Sequence, residues 1–168
     1  MQRIELDHDK YSAYLNQHLV AADAGVKAFK AAADTWEGTP LQAVFEQLHR
    51  ELEQSHDKVK ALIERLGYDV SMTRNLVAGV AHVAGRLNPL NFTRNSDGLM
   101  TQMEFDALAA AVRAQQMMWE TLVVLSDVDD RLDRAEMQAM VDLCEDQRAR
   151  VVKASAETAV ERFTAVPG

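Results

Sequence analysis

An all-α four-helix bundle is the fold class that the sequence predicts. In four long segments, apolar residues recur at steps of three and four, as they do on one face of a helix. Only three prolines and seven glycines occur in 168 residues, and most of them stand at the ends of these segments. No stretch alternates apolar and polar residues between turns in the way that predicts a strand. This length is typical of a single domain, here residues 1–168.

Helix breakers and capping residues mark the first two helices. The first is predicted from about Asp9 to Trp36 and carries one polar residue, His18, within its apolar stripe. The second is predicted to begin at Thr39, since threonine suits the cap, the following proline the first position and the glutamine the third. Gly67 is placed to end this helix in the left-handed conformation. The short connection between the two helices predicts an antiparallel hairpin.

Two further helices are predicted in the second half of the chain. One spans about Leu99 to Leu125, and the other spans about Asp133 to Phe163. Between the two hairpins, residues 67–98 form a predicted long crossover, with one short helix at about Thr73 to Leu87. Two tight hairpins joined by one long crossover predict the connectivity of a ferritin-like four-helix bundle.

The composition argues against several classes of function. Eighteen Lys and Arg against 26 Asp and Glu give a formal charge of −8, which disfavours binding to nucleic acid or to an anionic membrane surface. Cys144 is the single cysteine, so neither an internal disulfide nor a multi-cysteine zinc site is expected. No apolar stretch is long enough to span a membrane, and the N-terminal residues lack the apolar region of a signal peptide. We therefore expect a soluble, acidic, cytoplasmic protein.

Three segments carry a resemblance to a known group of proteins. They are YLNQHLVAADAGVKAF, GTPLQAVFEQLHRELEQSHDKVKALIERLG and NLVAGVAHVAGRLNP. Their sequence pattern and spacing resemble those of small all-helical actinobacterial proteins whose fold is ferritin-like, over about residues 8–165. The resemblance implies the fold and brings no activity with it, because it includes no catalytic motif.

A ferritin-like di-iron site needs a Glu from each of two helices and a Glu-x-x-His string from each of the other two. The second helix contains two such strings, Glu46 to His49 and Glu53 to His56. At 100° per residue, however, Glu53 points about 130° and Glu46 about 150° away from the centre of the apolar stripe, toward solvent. We therefore predict no bound metal. The alternative is an iron or manganese site in which five residues turn inward: His18, Glu53, His56, Glu120 and Glu145.

Polar residues interrupt the apolar faces of three helices. His18 is nearly level with His56 if the first hairpin turns near residue 38. Arg148 lies on the predicted inner stripe of the fourth helix and needs a carboxylate partner, for which Glu51 and Asp106 are candidates, because an unpaired buried guanidinium is costly. We predict a polar core layer of His18, Glu51, His56 and Arg148, held by hydrogen bonds and a salt bridge. The sequence leaves open an anion-binding role for Arg148.

Four methionines lie close to the predicted turn between the third and fourth helices: Met117, Met118, Met137 and Met140. Methionine fills irregular gaps and adapts to varied apolar partners. The sequence therefore leaves open a pocket for a small apolar ligand or a partner-binding patch, beside ordinary core packing. Cys144 is predicted to be an inert, buried residue, since no neighbouring base in the pattern would activate it.

The function predicted from these patterns is non-enzymatic. The chain would be a ferritin-like bundle with a degenerate metal site that acts as an interaction or small-ligand-binding module. The alternative is an iron- or manganese-binding protein with an iron-handling or oxidase-type role. A purely structural oligomer is a third class, in which apolar strips at Ala107 to Ala111 or at Val123 and Val124 would join two copies in a homodimer.

Overall fold

The computed structural model describes residues 5–71 and 98–164. Helix α1 spans His8–Thr35, α2 spans Pro40–Arg65, α3 spans Gly98–Leu125 and α4 spans Arg134–Phe163. The described residues contain no strand, so the all-α four-helix prediction is confirmed, and each predicted boundary lies at or next to the observed one. The short helix predicted at residues 73–87 lies outside the described residues. No helix in the described ranges is long and apolar enough to cross a membrane.

Local capping chemistry fixes where the helices begin and end. Thr39 caps α2 and Asp133 caps α4, each accepting hydrogen bonds from backbone amides of the first turn. The Gln42 side chain turns back as a capping box requires, but it accepts from the Gly38 amide, one residue before the cap. Gly67 follows α2 with a φ of 79°, in the left-handed region that glycine adopts without strain.

Contacts between helices fix their directions. Tyr14, near the start of α1, donates a hydrogen bond to Thr121, near the end of α3, so these two helices are antiparallel. Arg65 at the end of α2 pairs with Glu136 at the start of α4, which makes that pair antiparallel as well. Most helix packing lies within the α1–α2 and α3–α4 hairpins, with α1 also against α3 and α2 against α4. The helices therefore run up, down, down and up, and the end of α2 and the start of α3 lie at opposite ends of the bundle.

Aromatic residues fill the end of the bundle near the α1–α2 turn. The Phe45 ring lies 6.3 Å from that of Phe29 and 5.9 Å from that of Phe105, measured between ring centroids. Trp36 covers Phe105 at 5.8 Å. The three phenylalanines are fully buried or nearly so. Because they come from α1, α2 and α3, this cluster joins the two hairpins.

Candidate functional site

Both Glu-x-x-His strings of α2 face away from the bundle interior. Glu46 and His49 line one part of a surface groove between α1 and α2, and Glu53 and His56 line the next part. The two glutamates are exposed, as their angular positions on the helix predict. The inner positions of the same turns are occupied by leucines and by Ser55, which is fully buried.

The two histidines of this groove are held by nearby groups of the α1–α2 hairpin. His49 places Nδ1 3.2 Å from the carbonyl oxygen of Val26 and Nε2 3.6 Å from the Glu53 carboxylate. His56 places Nδ1 3.2 Å from the carboxylate of Asp57. Within residues 5–71 and 98–164, no three His, Cys, Asp or Glu side chains are arranged to hold a metal ion.

The structure does not bring together the residues of the alternative metal site. That set comprises His18, Glu53, His56, Glu120 and Glu145. Glu120 pairs with Arg113 at 2.6 Å on α3, and Glu145 lies 3.4 Å from Arg148 on α4. These ion pairs belong to the second hairpin, whereas Glu53 and His56 line the groove of the first. The sequence pattern assigns one glutamate to each of α2, α3 and α4 without fixing its direction about the helix axis. In the structure Glu120 and Glu145 point away from the groove that holds Glu53 and His56.

Glu51 links α2 to α4 through Arg150. Two guanidinium nitrogens of Arg150 donate to the two carboxylate oxygens of Glu51, one of them at 3.1 Å. Gln147 donates to the same carboxylate at 3.3 Å. Burial raises the pKa of Glu51, but the hydrogen bonds from Arg150 and Gln147 outweigh it, so the pKa lies below its ordinary value. The carboxylate is therefore ionised at neutral pH and ties the two hairpins together.

The four residues predicted for a polar core layer do not form one layer. Glu51 makes the interhelical contact, but with Arg150 in place of Arg148. Helix residues two positions apart in sequence point about 160° apart around the axis. Because Arg150 points to α2, Arg148 points to the α3 side of α4. Arg148 instead approaches Glu145 of its own helix at 3.4 Å. His56 lines the outer groove rather than the interior.

His18 is half-buried and packs edge-on against Tyr14, with 4.7 Å between ring centroids. Burial lowers its pKa. In the unfolded chain the imidazole takes up a proton near its ordinary value, while the folded chain resists protonation.

We therefore expect the stability of the protein to fall as the pH drops through about 6.5, because the unfolded state binds the proton first. Urea midpoints measured at mildly alkaline and mildly acidic pH should show this loss in the parent chain. The His18→Gln variant should lose less stability over the same interval. An identical pH dependence in both chains would contradict the assigned burial.

Uncharged polar side chains occupy the interior at mid-height. Gln147 is fully buried, and Gln116 is 3% exposed. Gln116 donates to Glu145 at 3.1 Å, while the structure gives its buried Oε1 no partner among the described residues. Sequence reasoning missed both glutamines because glutamine is typical of exposed positions. Their spacing was the available signal, since Gln147 stands three residues after Cys144 and four before Val151, which are both buried.

The sulfur-containing residues near the α3–α4 turn do not share one pocket. Met118, Met137 and Met140 are buried in the core, whereas Met117 is 53% exposed on the outside of α3. Adjacent residues of a helix point about 100° apart, which separates Met117 from its neighbour. Cys144 is buried, and burial raises the pKa of its thiol to about 12, so it is inert at neutral pH.

The exposed large apolar side chains of the described residues all belong to the second hairpin and its turn. They are Met103, Met117, Val124, Val128, Val152, Val160 and Phe163. Their exposure ranges from 39% for Met103 to 71% for Val160. Single exposed apolar residues are ordinary, but their concentration in one hairpin out of two favours an interaction surface on that hairpin. We call these seven residues the apolar face.

No protein-family model matches the sequence, and no curated protein or solved structure matches it significantly. Functional inference for this chain therefore rests on its own residues and geometry.

Proposed function

We propose that the protein is a non-enzymatic, ferritin-like bundle that acts as an interaction module through the apolar face. The observation that carries this proposal is the placement of seven large, exposed apolar side chains on one hairpin of two. The outer groove of the other hairpin is lined mostly by charged side chains. This difference between the two hairpins favours contact with a partner through the second hairpin.

The order of helix directions supports the ferritin-like part of this proposal. Helices α2 and α3 run parallel, and the residues that end α2 and begin α3 lie at opposite ends of the bundle. Ferritin-like bundles join their two hairpins by one long crossover for this reason. An up-down-up-down bundle with short loops would instead place these two ends side by side.

The interior supports a degenerate metal site rather than a working one. Iron and manganese sites in bundles use carboxylates and imidazoles that project inward. Here the buried polar residues at mid-height include Ser55, Gln116 and Gln147, while the carboxylates of Glu46 and Glu53 lie in the outer groove. Hydroxyl and amide groups are poor substitutes for that ligand set. No observation among the described residues favours the iron- or manganese-binding alternative.

Site-specific photo-cross-linking in cells tests the interaction module. A photoreactive phenylalanine analogue in place of Met117 should form a defined adduct, because the side chain lies on the apolar face. The matched control carries the analogue in place of Gln54, an exposed residue that lines the charged groove. Adducts at neither position, or equal adducts at both, would contradict the proposal.

A further inference from the structure

The outward side of α3 has the sequence pattern of a helix–helix contact. Seven residues recur at alternating steps of four and three: Met103, Ala107, Ala110, Ala114, Met117, Thr121 and Val124. At 100° per residue they fall within a sector of about 100°, on the side away from the buried stripe of the same helix. Six of them are exposed, Ala107 is half-buried, and none is charged. We call these seven residues the α3 seam; alternation of this kind over three heptads is the pattern of a coiled-coil contact.

Helix α3 is also poor in charge for a helix with one side in water. Its 28 residues include four charged side chains, Glu104, Asp106, Arg113 and Glu120. One of these, Glu104, is 5% exposed, and burial raises its pKa. A helix that exposes a long uncharged stripe to water is often covered there by a partner. The α3 seam is therefore a surface on which a second helix can pack.

We propose that this partner is the α3 helix of a second copy of the chain, packed antiparallel across a twofold axis; this proposal rests on the proposed function. In one register, Ala114 faces Met117 of the second copy. The same register sets Ala110 opposite Thr121 and Ala107 opposite Val124. Each pair joins a small side chain to a larger one, so the larger residue of each copy fills the space left by the alanine of the other.

Charge complementarity selects the same register. Arg113 and Glu120 flank the seam and pair with each other at 2.6 Å within the chain. In the proposed register each Arg113 lies beside Glu120 of the second copy, and the twofold axis makes this contact twice. A shift that sets Ala110 opposite Ala114 would place Arg113 beside its own symmetry copy and Asp106 beside Glu120. Like charges in those positions disfavour the shifted register.

A parallel pairing is disfavoured by the same residues. It would set each residue of the seam opposite itself, so Ala110 would face alanine and Met117 would face methionine. Arg113 and Glu120 would each lie on the opposite side of the helix pair from their symmetry copies, so a parallel pairing would form no ion pair between these residues. The seam therefore has both size and charge complementarity in the antiparallel arrangement alone.

Two single charge reversals test the dimer and its register. In Arg113→Glu, both symmetric contacts place glutamate beside glutamate, and in Glu120→Arg both place arginine beside arginine. We expect each variant alone to dimerise at least about tenfold more weakly than the parent chain. An equimolar mixture should recover dimerisation, because in the mixed dimer both contacts join opposite charges. Sedimentation equilibrium measures the association constants of the parent and of each variant alone. With one variant labelled, it also measures the association constant of the mixed dimer.

Controls keep the outcomes distinct. Lys60→Glu reverses an exposed charge on α2, away from the seam, and should leave the association constant unchanged. The circular dichroism of each variant should match that of the parent, which shows that the fold is retained. A mixture that associates no better than the separate variants would overturn the proposed pairing. A monomeric parent chain would overturn the homodimer. The proposed function as an interaction module would still hold if the probe at Met117 cross-linked a different protein.

Discussion

Phe45→Ala is expected to lower the free energy of unfolding by about 3–5 kcal/mol. The Phe45 ring is fully buried and lies within 6.3 Å of Phe29 and 5.9 Å of Phe105, between ring centroids. Its removal leaves a cavity where three helices meet, and helices close over such a cavity incompletely. Urea denaturation of the parent and the variant measures the difference.

The matched control is Phe163→Ala. Phe163 is 61% exposed near the end of α4, so its truncation should change the free energy of unfolding by less than about 0.5 kcal/mol. Similar losses in the two variants would show that the aromatic cluster around Phe45 does not hold the hairpins together.

Arg150→Met is expected to cost about 2–3 kcal/mol of stability, since it leaves Glu51 without its guanidinium partner. Breaking a fully buried pair costs more, but both side chains here retain about a quarter or less of their exposure, which moderates the penalty. The matched control is Arg148→Met, two residues earlier on the same helix. Its partner Glu145 is 62% exposed, so we expect a loss below about 1 kcal/mol.

The pH dependence of the stability difference between the parent chain and Arg150→Met tests whether that difference comes from the charge of Glu51. The pKa of Glu51 is lowered in the folded chain, so its contribution is fully present above its ordinary value of 4.5 and is lost as the pH falls through the lowered value. Protonation also removes the penalty of an unpaired carboxylate in Arg150→Met. The stability gap between the parent chain and Arg150→Met should therefore shrink in acid. A gap that is independent of pH, or a larger loss in Arg148→Met, would contradict the assigned pair.

The helix boundaries could be predicted from the sequence because their chemistry is local. Thr39 and Asp133 cap helices through hydrogen bonds to amides two or three residues away, and Gly67 supplies a backbone conformation that few other residues adopt. The outward direction of Glu53 also followed from the angle between neighbours on one helix. None of these inferences needed the position of a second helix.

The interhelical contacts could not be predicted in the same way. Arg148 and Arg150 compete for Glu51, and the choice depends on which side of α4 meets α2. That side is marked by Gln147, whose complete burial runs against the usual preference of glutamine. The apolar stripe alone placed the centre of the inner face too near Arg148. Likewise, the packing of α3 was needed to show that Met118 faces the interior and Met117 faces outward.

The up, down, down, up order has a consequence for the route by which the chain reaches its native state. Contacts within each hairpin join segments that are close in sequence, so they close small loops and form quickly. The contacts of Glu51 with Arg150 and of Phe45 with Phe105 close loops of 99 and 60 residues. Assembly of the two preformed hairpins is thus the expected kinetic barrier, and weakening these contacts should slow refolding more than weakening those within a hairpin.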